Sequence, residues 1–535
     1  MTSLLDQLNP SQREVVEMRR HCVAVACPGA GKTKTIATKA AMLLAEPHAT
    51  VGAVTFSKDA AVELRNRILA LAGPGAKRRL VAGTFHSLAY KQLGQKSGKR
   101  PDITTDGDRL AILSQVLQDN GLEWKVEDAV SVIERLKADL SSPPAGTIEA
   151  QLFEAYQNAL ERNGRVDFQD LLRLAVDGMQ RGTIAPYRLT YLLVDEYQDC
   201  DSLQTLWTAQ HAQGGAIVTI VGDDDQSIYG FRNACGSKGM EAFITQFDAQ
   251  PVVLGQNYRS HSEILATADK VIQNNRDRIP KTLVAHRGPG GTVGFQRFDD
   301  EYAEAVAAIE ALTPVLRQGK TAAVLARTNR ILDPVEAVCR SHGVKYYRAA
   351  GRSILDRPEA ALMGSLLELI QKTKATGLDS LLGYAGLRSH DLQLVHEKSG
   401  PMPQFDDQPK KKDLVAIGIS EDAADKYRDL IKKLSEWRSL CERQFFSLVL
   451  DGVRECMLQW AMKDQGKRAI NTTYDILSRL NGPFSDRLEF LRRANNEPTP
   501  DALVLTTMHA SKGREWSAVG VIRAEETVIP DDGST

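Results

Sequence analysis

Two stretches of the chain carry residue types whose order points to phosphate chemistry. The first is Val23-Ala24-Val25-Ala26-Cys27-Pro28-Gly29-Ala30-Gly31-Lys32-Thr33-Lys34, an apolar run that stops in a glycine-rich turn. Gly29 and Gly31 let backbone N–H groups crowd round an anion, and the helix expected next presents its positive N-terminus there. Lys32 is then placed to reach the β- and γ-phosphates of a nucleotide, and the Thr33 hydroxyl to ligate Mg²⁺. Ala26 stands where the eight-residue pattern has Gly. The second stretch, far along the chain, is Leu192-Leu193-Val194-Asp195-Glu196-Tyr197-Gln198-Asp199. An apolar strand ending in adjacent carboxylates divides two tasks: Asp195 holds Mg²⁺, directly or through water, and Glu196 accepts a proton from attacking water.

Three further segments end apolar runs with groups suited to a polyanion. Ala216 to Val221 closes in Gly222-Asp223-Asp224-Asp225-Gln226-Ser227-Ile228-Tyr229-Gly230-Phe231-Arg232, where Gln226 could sense a γ-phosphate and Tyr229 and Phe231 could face a base. Thr55-Phe56-Ser57-Lys58 and Thr84-Phe85-His86-Ser87 repeat a hydroxyl, an aromatic and a basic or imidazole group. Repetition of this kind suggests stacking platforms for bases, with plain packing the alternative for either phenylalanine alone. Gln12, after Leu8-Asn9-Pro10-Ser11, offers the donor and acceptor that an adenine edge demands, although taken alone a plain helix start is the favoured explanation.

The elements that must position these groups read as an α/β fold. Val51 to Phe56, Leu192 to Val194, Ala216 to Val221, Val252 to Leu254, Ala322 to Arg327 and Asp501 to Thr507 are predicted strands, and Thr35 to Ala45 a helix. Residues 97–165 and 356–499 change to helical periodicity and read as insertions, with Lys410-Lys411-Lys412 a solvated loop. A chain of 535 residues with 42% hydrophobic composition can bury several cores, about three to four domains. Its formal net charge of −1 excludes a bulk positive field, so a nucleic acid must be held by a local groove. The seven cysteines have no C-x-x-C pair, there is no signal-type core, and no apolar run reaches membrane-spanning length. A soluble, cytoplasmic protein with no membrane partner is expected.

The order and wording of these segments resemble the UvrD/Rep/PcrA group of superfamily 1 helicases along nearly the whole chain. The resemblance matches the Q motif to Leu8–Gln12, motif I to Ala26–Thr33, motif Ia to Val54–Ala61, motif II to Asp195–Asp199, motif III to Gly222–Arg232, motif IV to Gln256–Ser260 and motif V to Thr506–Trp516. It implies two RecA-like P-loop NTPase domains, each a parallel sheet flanked by helices and carrying a mostly helical insertion. The implied segments are 1–96 and 166–250 for the first lobe, 97–165 for its insertion, 251–355 and 500–535 for the second lobe, and 356–499 for its insertion. It further implies that Gln12 reads adenine, that Tyr258 stacks on it, and that Glu515 approaches the ribose. ATP would lie between the lobes, with Lys32 and Thr33 from one and Arg259, on the γ-phosphate, from the other; Thr507 and His509 would face DNA. The implied activity is ATP-dependent translocation on single-stranded DNA, 3′ to 5′, with action at single-strand/duplex junctions. The alternative is an ATP-gated DNA-binding subunit that loads or regulates a protein partner such as a nuclease or a repair, replication or defence factor.

Three departures from the family pattern bear on this reading. Lys34 stands where many relatives have Arg, keeping charge but losing a planar, bidentate donor. Phe231 replaces a frequent Trp, keeping a smaller stacking face. No motif VI, with its second arginine, follows Val519-Gly520-Val521-Ile522 before Thr535. An arginine finger is worth roughly 10³ to 10⁵ in kcat, so tight ATP binding with slow hydrolysis is expected of this sequence.

Overall fold

A computed structural model describes residues 2–140, 143–230, 233–349, 353, 357–371, 378–399, 410–461, 463–480, 482–492 and 499–530. The chain forms two units, Met1–Gly294 and Phe295–Thr535. Strands of the first unit are β1 (Cys22–Ala26), β2 (Val51–Thr55), β3 (Leu80–Thr84), β4 (Tyr191–Val194), β5 (Ile217–Gly222) and β6 (Gln250–Leu254). They make one sheet in the order β3-β2-β4-β5-β1-β6, with every pairing parallel. Such a sheet is covered by helices on both faces, which is why β1, β2 and β4 are buried at every residue. Successive side chains point to opposite faces: Val23, Val25, Val54, Leu192 and Val194 enter one core, and Cys22, Ala24, Ala26, Ala53 and Leu193 the other.

The placement of β6 corrects one expectation. Residues from 251 onward were assigned above to the second lobe, yet Gln250–Leu254 pairs with β1 along its length, Cys22 opposite Gln250 and Ala26 opposite Leu254. The chain stays with the first unit to Gly294. An apolar strand reads alike in either sheet, so periodicity could not assign it.

Within the first unit, helices Asp106–Asp119, Val126–Leu136 and Ile148–Arg162 surround a small core of their own, with Leu113, Ala129, Ile133, Leu152 and Tyr156 at 0% exposure. Two devices tie this helical segment to the main body. A short parallel pair joins Asp102–Ile103 to Arg165–Val166. Deeper, the Lys137 ammonium is fully buried between Asp167 (2.6 Å) and Asp170 (2.8 Å), and the Tyr156 hydroxyl donates to Asp167 (3.1 Å). Asp167 also caps helix Phe168–Gln180.

The second unit contains a four-stranded parallel sheet of β7 (Ala322–Ala326), β8 (Tyr346–Arg348), β9 (Leu503–Thr507) and β10 (Ala518–Val521), ordered β8-β9-β7-β10. Between β8 and β9 the chain builds a helical bundle around Met363, Leu366, Leu430, Ile431, Val449, Met457, Ile470 and Phe484. The fold is therefore α/β, two parallel sheets flanked by helices. The lysine cluster, expected as a loop, instead opens a helix, Lys411–Ala416 with Lys410 before it, and Lys411 pairs with Glu421 (3.2 Å) and Asp425 (2.7 Å); residues 400–409 lie outside the described residues.

Removing the buried ammonium while leaving its carboxylates is costly, because an uncompensated charge stays behind. Lys137→Met is expected to destabilise the first unit by about 3 to 5 kcal/mol. Lys137→Met with Asp170→Asn should lose clearly less, as read by calorimetric unfolding of the full chain.

Candidate active site

Because all strands of the first sheet run the same way, their carboxyl ends share one edge, and several of the first unit's groups singled out above lie along it. β1 ends in the turn Cys27–Gly31, and helix Lys32–Leu44 follows at once. Gly29 (φ +67°) and Gly31 (φ +74°) take left-handed conformations, and a Cβ on Gly29 would lie 2.6 Å from the Cβ of Arg259. Three successive carbonyls of the turn are claimed from outside it: Pro28 by Asn257 Nδ2 (2.6 Å), Gly29 by the Tyr258 N–H (3.0 Å) and Ala30 by Gln12 Nε2 (2.8 Å). Acceptors engaged in this way leave an anion to the N–H groups.

These contacts place Asn257, Tyr258 and Arg259 in the first unit beside the turn, not in a second lobe as expected. The buried Asn257 side chain also accepts from the N–H groups of Arg259 (3.0 Å) and Ser260 (2.8 Å). Asn9 Nδ2 donates to the Tyr258 hydroxyl (2.9 Å) and to Gln256 (3.1 Å), while the Tyr258 ring lies 4.7 Å from that of His286. Gln12 is 2% exposed and uses both ends of its amide: Nε2 on Ala30 and Oε1 as acceptor from the Asn9 N–H (3.1 Å). In this geometry it secures the turn, and adenine would have to replace one of those partners. Lys34 Nζ donates to the Gln7 carbonyl (2.7 Å). Sequence gave no sign of Lys39, whose buried amine donates to Val15 (2.6 Å) and Met18 (2.8 Å) and closes helix Pro10–Glu17 onto the helix after the turn; burial lowers its pKa to about 8.

The acidic pair lies beside the turn. Lys32 Nζ lies 3.2 Å from Glu196 Oε2, and Thr33 Oγ1 3.5 Å from Asp195 Oδ2. Asp195 also accepts from the Glu196 N–H (3.0 Å), and Glu196 holds a left-handed φ of +53°, a rare conformation for a non-glycine residue. Burial, reinforced by the Glu196 charge and opposed by Lys32, pushes the Asp195 carboxyl up to about 7. Burial also opposes the charge on Lys32, but Glu196, Asp223 and Asp195 outweigh it and hold that pKa above the usual lysine range.

Gln198 bridges this pair to the end of β5. Its Nε2 donates to Glu196 (2.6 Å), and its Oε1 accepts from the Asp223 N–H (2.9 Å). Asp223 Oδ2 in turn accepts from Gln226 Nε2 (2.6 Å). Asp223, Asp224 and Asp225 converge closely enough to suggest a cation site, but a lysine fills that place. Lys281 Nζ reaches Asp223 (2.7 Å), Asp224 (2.6 Å) and Asp225 (3.0 Å), and Arg278 grips Asp225 through Nε (2.9 Å) and Nη2 (2.7 Å). Neither basic residue was identified from sequence; the available signal was a basic segment, Arg276 to Lys281, downstream of an acidic triplet.

Along the same edge the aromatic residues separate into two kinds. Phe56 stacks on Tyr229, rings 5.6 Å apart and 15° from parallel. Phe85 does not line the edge: it is 1% exposed and packs edge-on against Trp207 at 5.5 Å in the core, which corrects its expected role. Thr55 is buried, and Thr84 caps helix Phe85–Ser97 by accepting from the Ser87 N–H (3.3 Å). His86 stacks on Phe168, 4.4 Å apart and 13° from parallel, and burial lowers its pKa to about 4, so the imidazole is neutral at pH 7. Phe168, 57% exposed, escaped sequence reading because it opens a helix with no neighbouring motif. Phe231 lies outside the described residues. In the second unit Thr507 ends β9, the His509 ring nitrogen lies 3.3 Å from Arg327 Nη1, and Glu515 is exposed. Burial and Arg327 lower the His509 pKa.

Residues 8–248 match the UvrD/REP helicase N-terminal domain and residues 252–378 the UvrD-like helicase C-terminal domain, together more than half of the chain. The chain belongs to the UvrD/REP helicase family. It is 26% identical to the ATP-dependent DNA helicase PcrA of Bacillus subtilis, over 99% of this chain and 79% of that protein. It is 27% identical to DNA helicase II of Escherichia coli, over 99% of this chain and 81% of the relative. For this UvrD/REP helicase, the C-terminal match begins within the segment that the fold keeps in the first unit. Among the described residues no helix is long and apolar enough to cross a membrane.

The Asp195 environment predicts a pH dependence of stability. With a folded pKa of about 7 against roughly 3.9 unfolded, the folded chain binds the extra proton. Stability therefore falls as pH rises from about 4 to about 7, and the whole penalty is present above 7. Asp195→Asn is expected to raise the nucleotide-free melting midpoint by a few degrees at pH 8 and to change it little near pH 4.5, measured by thermal denaturation.

Proposed function

We propose that this helicase is an ATP-driven motor that moves 3′ to 5′ on single-stranded DNA and separates duplex at single-strand/duplex junctions. The observation that carries the reading is that Lys32, Glu196 and Asp195 share one sheet edge with the stacked pairs Phe56–Tyr229 and His86–Phe168. A phosphate site and a row of ring faces at the ends of parallel strands can transmit a change at one to the other.

In this reading the turn's N–H groups and Lys32 bind the nucleotide's phosphates. Glu196 takes the proton of the attacking water, and Gln226, oriented by Asp223, holds that water or the γ-phosphate. Arg259, fixed through its backbone by Asn257, faces the same phosphate from the first unit itself, while Tyr258 supports the base. The donors suit Mg²⁺: a hydroxyl and a carboxylate are hard oxygen ligands, and the buried Asp195 is short of positive charge. Bound there with ATP through Thr33 and Asp195, the ion would supply charge neutralisation for phosphoryl transfer. Before binding, Lys32 is paired with Glu196, so phosphate entry draws the ammonium away and releases the carboxylate to act as base.

Phe56, Tyr229 and Phe168 provide the grip on bases, and Thr507, His509 and Glu515 are proposed as the second unit's contributions to DNA and ribose. A stacked base is worth about 1 to 3 kcal/mol without sequence preference. That is of the same order as the roughly 1.4 kcal/mol mean cost of opening one base-pair step.

Steady-state ATPase measurements with single-stranded DNA and RNA test the reading, together with unwinding of 3′- and 5′-tailed duplexes. Stimulation by DNA and opening of the 3′-tailed substrate are expected. Glu196→Gln should lower kcat by 10² to 10⁴ with nucleotide still bound. Phe168→Ala should weaken single-stranded DNA binding about 5- to 100-fold. Dominant stimulation by RNA would overturn the DNA assignment; DNA and ATP binding without strand separation would leave a gated DNA-binding subunit.

A further inference from the structure

The stretch Arg278–Lys281 belongs to no helix or strand, yet it holds all three carboxylates at the end of β5. Lys281 has a fully buried side chain and contacts Asp223, Asp224 and Asp225; Arg278 takes Asp225 with two nitrogens, and the Ile279 N–H donates to Asp224 (2.7 Å). A few residues on, the same stretch is stitched to the Arg259 loop. Val284–Ala285 pairs in parallel with Gln256–Asn257, the Val284 N–H donates to Gly255 (2.9 Å), and the His286 N–H donates to Asn257 (2.8 Å). Residues 278–286 thus form a strap from the Gln226 loop to the Arg259 loop.

Asp223 divides its two oxygens. Oδ1 takes Lys281 at 2.7 Å, and Oδ2 takes the Gln226 amide nitrogen at 2.6 Å. A carboxylate can only accept, so this contact turns the amide nitrogen of Gln226 toward Asp223 and its carbonyl oxygen away. The alternative cation near Asp223 is Lys32, whose charge also acts on it. Without Lys281, that buried carboxylate would lose the partner that fixes its direction, and with it the fixed hold on the Gln226 amide.

We propose that Lys281 is a positioning residue for ATP hydrolysis, holding Asp223 so that Gln226 presents its carbonyl to the attacking water. This rests on the role given to Gln226 under the proposed function. Lys281 touches neither nucleotide nor water; it acts through Asp223, and the strap sets the Gln226 and Arg259 loops in one register.

The test uses the full chain and reads DNA-stimulated kcat, KM for ATP, affinity for a fluorescent ATP analogue and the melting midpoint. Lys281→Met is expected to lower kcat at least tenfold while nucleotide affinity changes less than about threefold. Because Lys281→Met strands buried carboxylates, a second variant joins it with Asp224→Asn, which relieves the charge imbalance but leaves Asp223 unheld; its kcat should remain low. In a Gln226→Ala background, adding Lys281→Met should slow turnover by no more than about twofold, since both changes remove one function. Recovery of kcat in the Asp224→Asn pair, or rates that multiply in the Gln226→Ala background, would overturn the proposal and leave Lys281 a structural counter-ion. Wild-type turnover by Gln226→Ala alone would instead defeat the role given to Gln226 itself.

Discussion

Two lysines with little or no access to water, Lys32 and Lys281, hold the active edge of the first unit together. Around them stand Asp195, Glu196, Asp223, Asp224 and Asp225, more negative charge than the two ammonium groups balance. Burying such a set is unfavourable unless every charge has a partner, and the partners here are shared. Asp223 is pushed up by burial and brought back in part by Lys281 and Lys32, while Arg278 and Lys281 outweigh burial at Asp225 and hold it below the ordinary carboxylate range. At Asp195 burial and the neighbouring Glu196 charge outweigh Lys32, and the carboxyl is raised to about 7.

Strand direction supplies the rest. In a sheet whose strands all run the same way, chemistry acquired at the end of one strand is automatically beside that of the next. The phosphate turn follows β1, Phe56 follows β2, the acidic pair follows β4 and Gln226 follows β5. No long-range design is needed to bring these groups to a common edge; parallel pairing does so.

How much of this was legible in the sequence depends on whether each signal was local. The turn, the acidic pair and the strands that carry them were readable because glycine, lysine and carboxylate sit next to apolar runs within a few residues. The hold of Asn257 on Pro28 was not, although Asn257 lies within the motif IV match, and neither was that of Lys281 on Asp223, because in each case the partner is distant in sequence. Phe85 and Phe168 show the same limit in both directions. The first belongs to a promising Thr-Phe-His string but faces Trp207 in the core, and the second sits in an unremarked helix start but stacks on His86 at the surface. Side-chain direction at a strand-to-helix junction is set by tertiary packing, which alternation alone does not encode.

The course of the chain past β6 bears on how such proteins can be divided. The sequence family changes from its N-terminal to its C-terminal domain near residue 250, whereas the polypeptide remains part of the first body until Gly294. A recombination event at the sequence seam would separate Asn257 from the Pro28 carbonyl it holds and Lys281 from its three aspartates. A crossover close to 294 would carry the whole assembly as one heritable block. For gene fission, fusion or the making of chimeras between relatives, the natural joint of this architecture therefore lies some way downstream of the one that family boundaries suggest.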